Sequence, residues 1–126
     1  MESIRIISPQ KVPAHLGAGG RRTRVLLDPE TGHPGLELYH VELVPGASSE
    51  VHARDHAEAL IVLEGVAGVK TGETLHRAEA GEVILIPAGV EHQHVNAGEG
   101  TARFLGIFAP PTGNAADVRS RPLAED

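Results

Sequence analysis

The stretch HARDHAEALIVLEG, residues 52–65, places two histidines and a glutamate just before an uncharged apolar run. Imidazole nitrogen and carboxylate oxygen are both good ligands for borderline divalent metals. A straight strand rises about 3.3 Å per residue, so His52 and Glu58 would lie roughly 20 Å apart if the chain stayed extended. The two side chains can share an ion only if the chain bends between them, and we predict a bend within residues 53–57.

A second pair of histidines follows a predicted turn. The segment GEVILIPAGVEHQHVN, residues 81–96, is typical of a buried strand, a Pro-Ala-Gly turn and a new strand that carries His92 and His94. Alternate residues of a strand share one face, so the two histidines are predicted to point the same way. If both segments meet, His52, Glu58 and His92 form a set that leaves coordination positions open, as in catalytic metal sites.

The elements that must position these groups are predicted to be short β-strands. Fifteen glycines and nine prolines punctuate the sequence, and β-rich apolar runs recur between them at the spacing of an antiparallel sandwich or barrel. No crossover helices are predicted, which argues against a parallel α/β fold. The predicted strands are residues 4–7, 24–28, 36–44, 49–52, 58–65, 67–71, 73–78, 82–87, 91–96 and 102–109.

Length, composition and charge narrow the class of protein. The 126 residues suit one domain, which we place at residues 1–110, followed by a loosely held tail at 111–126 with one helical turn near 115–119. The net charge of −6 argues against nucleic acid as a partner, and the absence of cysteine excludes disulfides and thiolate metal sites. Neither a signal peptide nor a membrane span is predicted, so we expect a soluble cytoplasmic protein.

The two histidine-bearing stretches together resemble the two sequence motifs of the cupin superfamily, and they define a motif core at residues 46–96. The resemblance implies an all-β, single-domain antiparallel barrel, the jelly-roll or double-stranded β-helix, with one divalent metal ion: Fe, Mn, Zn, Ni or Co. The first motif is matched by Gly46, His52, Glu58 and Gly65, and the second by Gly81, Pro87, Gly89, His92 and Asn96.

One residue departs from the first motif. Arg54 stands where the family has a second histidine, and a guanidinium cannot ligate a metal because it stays protonated. His56 is therefore predicted to replace the lost ligand and to join His52, Glu58 and His92 around the ion. In the alternative, the site has three ligands, and Arg54 anchors an anionic substrate or a bridging carboxylate, or simply turns outward.

The resemblance implies two classes of function. In the first, the protein is a metal-dependent enzyme acting on a small organic molecule, as a dioxygenase, isomerase, decarboxylase or lyase. Glu58 and His94 are then the candidate acid–base groups, and Arg54, His94 and His40 the candidate substrate-binding residues. In the second, the protein binds or senses a small molecule without catalysis. Both hypotheses predict a small-molecule ligand and no membrane or nucleic acid partner.

The N-terminal part of the chain suggests an assembly. The short apolar runs at residues 4–7 and 24–28 are separated by a glycine-rich loop, and an exposed strand edge invites pairing with another chain. The resemblance to cupins also implies a two-fold dimer. We therefore expect a homodimer in which each N-terminal strand extends the sheet of its partner.

Overall fold

The computed structural model describes residues 3–124. Within them the chain forms nine β-strands, two short 3-10 turns and one α-helix. The strands and the helix are β1 (His15–Leu16), β2 (Arg22–Leu27), β3 (Glu37–Leu43), β4 (Glu58–Glu64), β5 (Val66–Thr71), β6 (Thr74–Glu79), β7 (Val83–Ile86), β8 (Gln93–Asn96), β9 (Ala102–Phe108) and α1 (Ala115–Ser120).

The strands form two antiparallel sheets. The larger sheet has the order β1-β2-β3-β9-β4-β7, and the smaller has the order β6-β5-β8. Every strand pair is antiparallel, and β9 pairs with β3 along its whole length and with β4 from Arg103 to Phe108. This arrangement confirms the prediction of an all-β, antiparallel jelly-roll fold.

The core lies between the sheets because alternate residues of the long strands point inward. Strand β9 buries every second residue from Ala102 to Phe108, and β4 does the same with Glu58, Leu60 and Val62. The only charged residue in this inward row of β4 is Glu58, which is 3% exposed. Burying a carboxylate on a strand face costs free energy unless the group has a partner. Glu58 therefore needs a partner at this end of the sheet.

The turn between β4 and β5 requires the glycine that the first motif supplies. Gly65 has a φ of 72°, and a Cβ atom there would lie 2.4 Å from the carbonyl oxygen of Thr101. Any other residue would therefore be strained both by its backbone conformation and by this contact.

The N-terminal predictions are only partly met. Residues 4–7 belong to no strand, and Ile4 and Ile6 are 96% and 93% exposed. The run at 24–28 falls mostly in β2, which pairs with β3 of its own chain, so the structure corrects the idea that this run is exchanged with a partner. Residues 49–52 form no continuous strand, and this part of the chain instead makes isolated bridges at Ser48 and His52.

The C-terminal segment packs against the sheet, unlike the loosely held tail expected from the sequence. Helix α1 buries Ala115 and Val118 in the core, and Arg119 donates two hydrogen bonds of 3.0 Å to the buried carboxylate of Asp28. The backbone N–H of Gly113 donates to Glu37, which is fully buried. No helix in the described part of the chain is long and apolar enough to cross a membrane.

Candidate metal centre

The chain bends between His52 and Glu58, as a shared ligand set requires. Residues 55 and 56 form the bend, and the backbone N–H of Gly89 donates a hydrogen bond of 2.8 Å to the carbonyl oxygen of Arg54. The backbones of His52 and His92 exchange two hydrogen bonds, each 2.8 Å long. The bend and this bridge together bring the two motif segments into contact.

Four side chains converge at this contact. Each offers one ligand atom, and these atoms all lie within 4.8 Å of one another. Nε2 of His92 lies 2.9 Å from one carboxylate oxygen of Glu58, and Nε2 of His94 lies 4.0 Å from the other. The four residues are His52, Glu58, His92 and His94.

Backbone carbonyls orient two of the imidazole rings. Nδ1 of His92 lies 2.8 Å from the carbonyl oxygen of Val90, and Nδ1 of His52 lies 2.9 Å from that of Glu50. A carbonyl oxygen can only accept, so each Nδ1 must carry the proton and donate. In the neutral ring the lone pair is therefore on Nε2, which is the tautomer that a metal ligand needs.

The third histidine is held by its backbone. The hydroxyl oxygen of Ser49 accepts a 2.9 Å hydrogen bond from the backbone N–H of His94, and the N–H of Ser49 donates to the carbonyl of His94 at 2.8 Å. Farther along β8, the side chain of Asn96 donates to the carbonyl oxygens of Leu43 and Gly100. These bonds fix β8 in place, so the direction of the His94 ring is set by the fold.

Burial keeps two of the histidines neutral. Desolvation lowers the pKa of His94 to about 3. Desolvation also lowers the pKa of His52, and the nearby Arg54 charge adds to that effect. At neutral pH both rings therefore carry a free lone pair without having to lose a proton first.

The carboxylate and the third ring influence each other. Burial alone would raise the pKa of Glu58, but His92, His94 and Arg54 outweigh it, so the pKa is lowered and the group is a carboxylate. Burial alone would likewise lower the pKa of His92, but contact with Glu58 raises it. The centre thus holds one negative charge among three imidazole rings.

The pattern of unpaired atoms fits a bound cation. Oε1 of Glu58 and Nε2 of His92 are buried and face each other at 2.9 Å, and in the neutral ring with its proton on Nδ1 both are acceptors, so they form no hydrogen bond. Nδ1 of His94 is also buried without a partner among residues 3–124. Buried polar atoms without partners are costly. A divalent ion would satisfy the first two, and three imidazoles with one carboxylate are a donor set suited to such an ion. The residues present therefore fit a metal ion.

A cavity of about 250 Å³ opens beside these residues. His52, Glu58 and His94 line it, and β3 and β9 contribute aromatic and aliphatic walls. Val118 and Arg121, in or just after α1, line its other side. The cavity thus combines aromatic and aliphatic walls with many charged and polar side chains, a concave form in which a small polar molecule can bind.

The structure brings most, but not all, of the predicted site residues together. Arg54 lines the cavity, and His94 takes the fourth place in the cluster. His56 does not reach it, because it lies exposed at the bend. His40 is buried on the opposite face of β3 from Tyr39, which lines the cavity, so His40 is not brought to the site.

Several lining residues lack a specific sequence signal. Tyr39 and Phe108 are two of the chain's three aromatic residues, and both line the cavity. Their inward positions follow from the alternation of side chains along β3 and β9. The sequence therefore indicates that they are buried, but not that they line a cavity. Arg121 and Val118 lie in the C-terminal segment, where no local pattern links them to the histidines.

The sequence of the chain is similar to those of known proteins. The family model described as "Cupin domain" matches residues 39–108, more than half of the chain. The sequence is 34% identical to germin-like protein subfamily T member 2 of Arabidopsis thaliana over 90 residues, which is 67% of this chain and 41% of that protein. The chain thus spans less than half the length of this relative.

Two bacterial proteins match over most of their length. The tetracenomycin polyketide synthase protein TcmJ of Streptomyces glaucescens is 28% identical over 125 residues, 96% of this chain and 83% of that protein. The structure of the polyketide cyclase RemF from Streptomyces resistomycificus superposes with a TM-score of 0.74 at 27% identity, covering 86% of this chain and 83% of RemF. With its two motifs, jelly-roll sheets and family match, this chain belongs to the cupin family.

Proposed function

We propose that this cupin is a metal-dependent enzyme acting on a small organic molecule that binds in the cavity beside the ion. The observation that carries the proposal is the convergence of three histidines and one carboxylate on a cavity lined by aromatic side chains. Four protein ligands would leave room for further coordination of an ion, and His52, Glu58 and His94 also line the cavity. His52, Glu58, His92 and His94 hold the ion in this proposal, and His56 is not a ligand.

The descriptions of two similar proteins indicate the class of reaction that we propose. RemF is described as a polyketide cyclase and TcmJ as a polyketide synthase protein, and polyketides carry many carbonyl and enol oxygens. When bound, a divalent ion would act as a Lewis acid on such an oxygen. We therefore propose a ring-closing or isomerising reaction at a carbonyl-bearing substrate, and we place the dioxygenase class second.

The residues of the chain have separate tasks in this proposal. His94 is a ligand here and no longer a candidate acid–base group, because its backbone bonds hold it in the cluster. Glu58 lies with one oxygen near His92 and the other near His94. A carboxylate oxygen that does not ligate the ion would be able to accept a proton from substrate, so Glu58 keeps its proposed catalytic role.

Removing the ion should abolish turnover and lower stability together. Because the unfolded chain lacks the assembled site, an ion at 100 times its dissociation constant adds about 2.7 kcal/mol to the free energy of unfolding. We expect a chelator at pH 7.5 to remove this contribution, and the effect to weaken as the pH falls and His92, whose pKa Glu58 raises, takes up a proton in place of the ion. Urea unfolding, with and without chelator, measures it.

The same preparation tests the activity. Metal-loaded protein is incubated with small phenolics, diketones and linear polyketide analogues, and products and oxygen uptake are followed. Ring-closed product without oxygen uptake supports the proposed reaction, whereas stoichiometric oxygen uptake would move the protein to the dioxygenases. A bound ion with saturable ligand binding but no product from any of these compounds would favour the non-catalytic binding module.

We also propose that the chain forms a homodimer through its N-terminal segment. Ile4 and Ile6 are almost fully exposed on an extended segment, and the edge strand β7 exposes Val83 and Leu85. Exposed apolar side chains at an open sheet edge are typical of an interface. We expect light scattering to give about twice the mass of one chain, and Ile4→Ser with Ile6→Ser to shift it toward the monomer. A monomeric wild type at micromolar concentration would contradict this.

A further inference from the structure

One charged side chain of the cavity wall, Arg54, forms no ion pair and no side-chain hydrogen bond with the residues that the structure describes. Arg54 lines the cavity, and its Nε is buried with no hydrogen bond to any residue the structure describes. Its guanidinium carries a permanent positive charge and five donors. Leaving the Nε donor buried and unpaired costs free energy, so an acceptor bound in the cavity beside Arg54 would be favoured.

The other two arginines of the cavity differ from Arg54 because they form ion pairs, although the Nε of Arg121 is likewise buried without a hydrogen-bond partner within residues 3–124. Arg21 and Arg121 both form ion pairs with Glu50, at 3.5 Å and 3.9 Å. Their charges are thus partly compensated within the protein. Arg54 makes no ion pair with the described residues, and Phe108, whose ring centre lies 5.8 Å from the guanidinium carbon, is its aromatic neighbour.

A second donor lies beside the same aromatic ring. Tyr39 contacts Phe108 edge to face, with ring centres 5.8 Å apart. Its hydroxyl is buried beside the Glu37 carboxylate, but it makes no hydrogen bond of good geometry within residues 3–124. Burial, reinforced by the Glu37 charge, raises the pKa of Tyr39 well above its usual value, so the group stays a neutral donor. Two donors thus flank one aromatic surface.

We propose that Arg54 binds a carboxylate group of the substrate, with Tyr39 as a secondary donor, so that the substrate is a small organic acid. The carboxylate would lie at Arg54 while the apolar body packs against Phe104 and Phe108, leaving another oxygen of the substrate near the metal centre. This names the substrate class of the site proposed above and rests on that proposal. Arg54 stands where the first motif has a metal-binding histidine. In this proposal the position therefore binds the substrate and not the ion.

The test compares two probes of nearly equal shape, benzoate and benzamide, by calorimetric titration of metal-loaded protein. The wild type should bind benzoate at least about ten-fold more tightly, the effect of one charge-assisted contact. Arg54→Met keeps an apolar stem on Phe108 without the charge and should erase the preference. Arg54→Lys keeps the charge and should retain part of it. The control Arg77→Met removes an exposed guanidinium on β6, outside the cavity, and should leave the preference intact.

Two outcomes would overturn the proposal: an unchanged preference in Arg54→Met, or equal or undetectable binding of both probes by the wild type. Metal content measured on the same samples separates this proposal from the proposed function. An Arg54-dependent preference in protein that binds no ion would support the acid-binding site and reject the metal enzyme. A bound ion together with a benzoate preference that does not depend on Arg54 would support the metal enzyme and reject the acid-binding site.

Discussion

Replacing His92 with alanine should abolish stoichiometric binding of a divalent ion. His92 is 1% exposed, its Nδ1–H donates to Val90, and its Nε2 lies 2.9 Å from Glu58. Loss of a group that merely orients a ligand weakens metal affinity about 10- to 100-fold, so we expect loss of the ligand itself to exceed about 100-fold. Metal analysis of protein purified without chelator or nickel resin, followed by titration of the apoprotein, measures the change.

Two further histidine variants test the fourth ligand. His94→Ala should weaken metal binding, because His94 lies in the converging group, whereas His56→Ala should leave it at the wild-type level, because His56 is exposed at the bend. His56→Ala is therefore the matched control for His92→Ala. Metal loss in His56→Ala with retention in His94→Ala would return the fourth position to His56. Circular dichroism shows whether each variant is folded.

Asp28→Asn should destabilise the fold by roughly 2 kcal/mol. The Asp28 carboxylate is 3% exposed and accepts two 3.0 Å hydrogen bonds from Arg119, together with bonds from Thr31. Breaking a buried pair costs about 3–5 kcal/mol, and we reduce this figure because the Arg119 side chain is 32% exposed. Urea unfolding of both proteins at pH 7 measures the difference.

The pH dependence of this difference follows from the charge on Asp28. The hydrogen bonds from Arg119 are the main reason why the pKa of Asp28 lies well below its usual value in the folded protein. A carboxyl with a lowered folded pKa stabilises the fold above its unfolded pKa of about 3.9, and that contribution is lost as the pH falls further. The advantage of the wild type over Asp28→Asn should therefore be constant near neutrality and shrink below about pH 4.

An exposed ion pair between α1 and the residue that follows it provides the control for Asp28→Asn. Asp117 lies 3.3 Å from Arg121, but its side chain is 60% exposed. Exposed pairs contribute about 0–1 kcal/mol, so Asp117→Asn should change the free energy of unfolding much less than Asp28→Asn. Equal effects would show that Asp28 does not anchor α1. Because α1 covers one side of the cavity, Asp28→Asn should also weaken ligand binding.

Local patterns in the sequence are enough to predict the strands and most of the candidate metal centre. Period-two alternation and glycine and proline turns are local signals, and they predict β2 to β9 with small shifts at the ends. The spacing within the two motifs also singles out His52, Glu58 and His92. A turn and a strand face follow from a few adjacent residues, so neighbours in the chain fix where these three side chains point.

The identity of the histidine that completes the cluster depends on contacts between distant segments. His56 is closer in sequence to His52, but the bend turns its side chain to solvent. His94 reaches the centre because the bridge between His52 and His92 sets the register of β8 against the first motif. Register between segments so far apart depends on long-range hydrogen bonds, which a local pattern does not encode.

The closure of the cavity is likewise a property of the packed chain. The tail has few large apolar residues, so composition predicts a loose terminus, yet the buried anchors Asp28 and Glu37 hold it against the sheet. Those two carboxylates look like ordinary loop and strand charges in the sequence. Their partners, Arg119 and Gly113, lie far along the chain, and the pairs form only when β2, β3 and the tail are packed together.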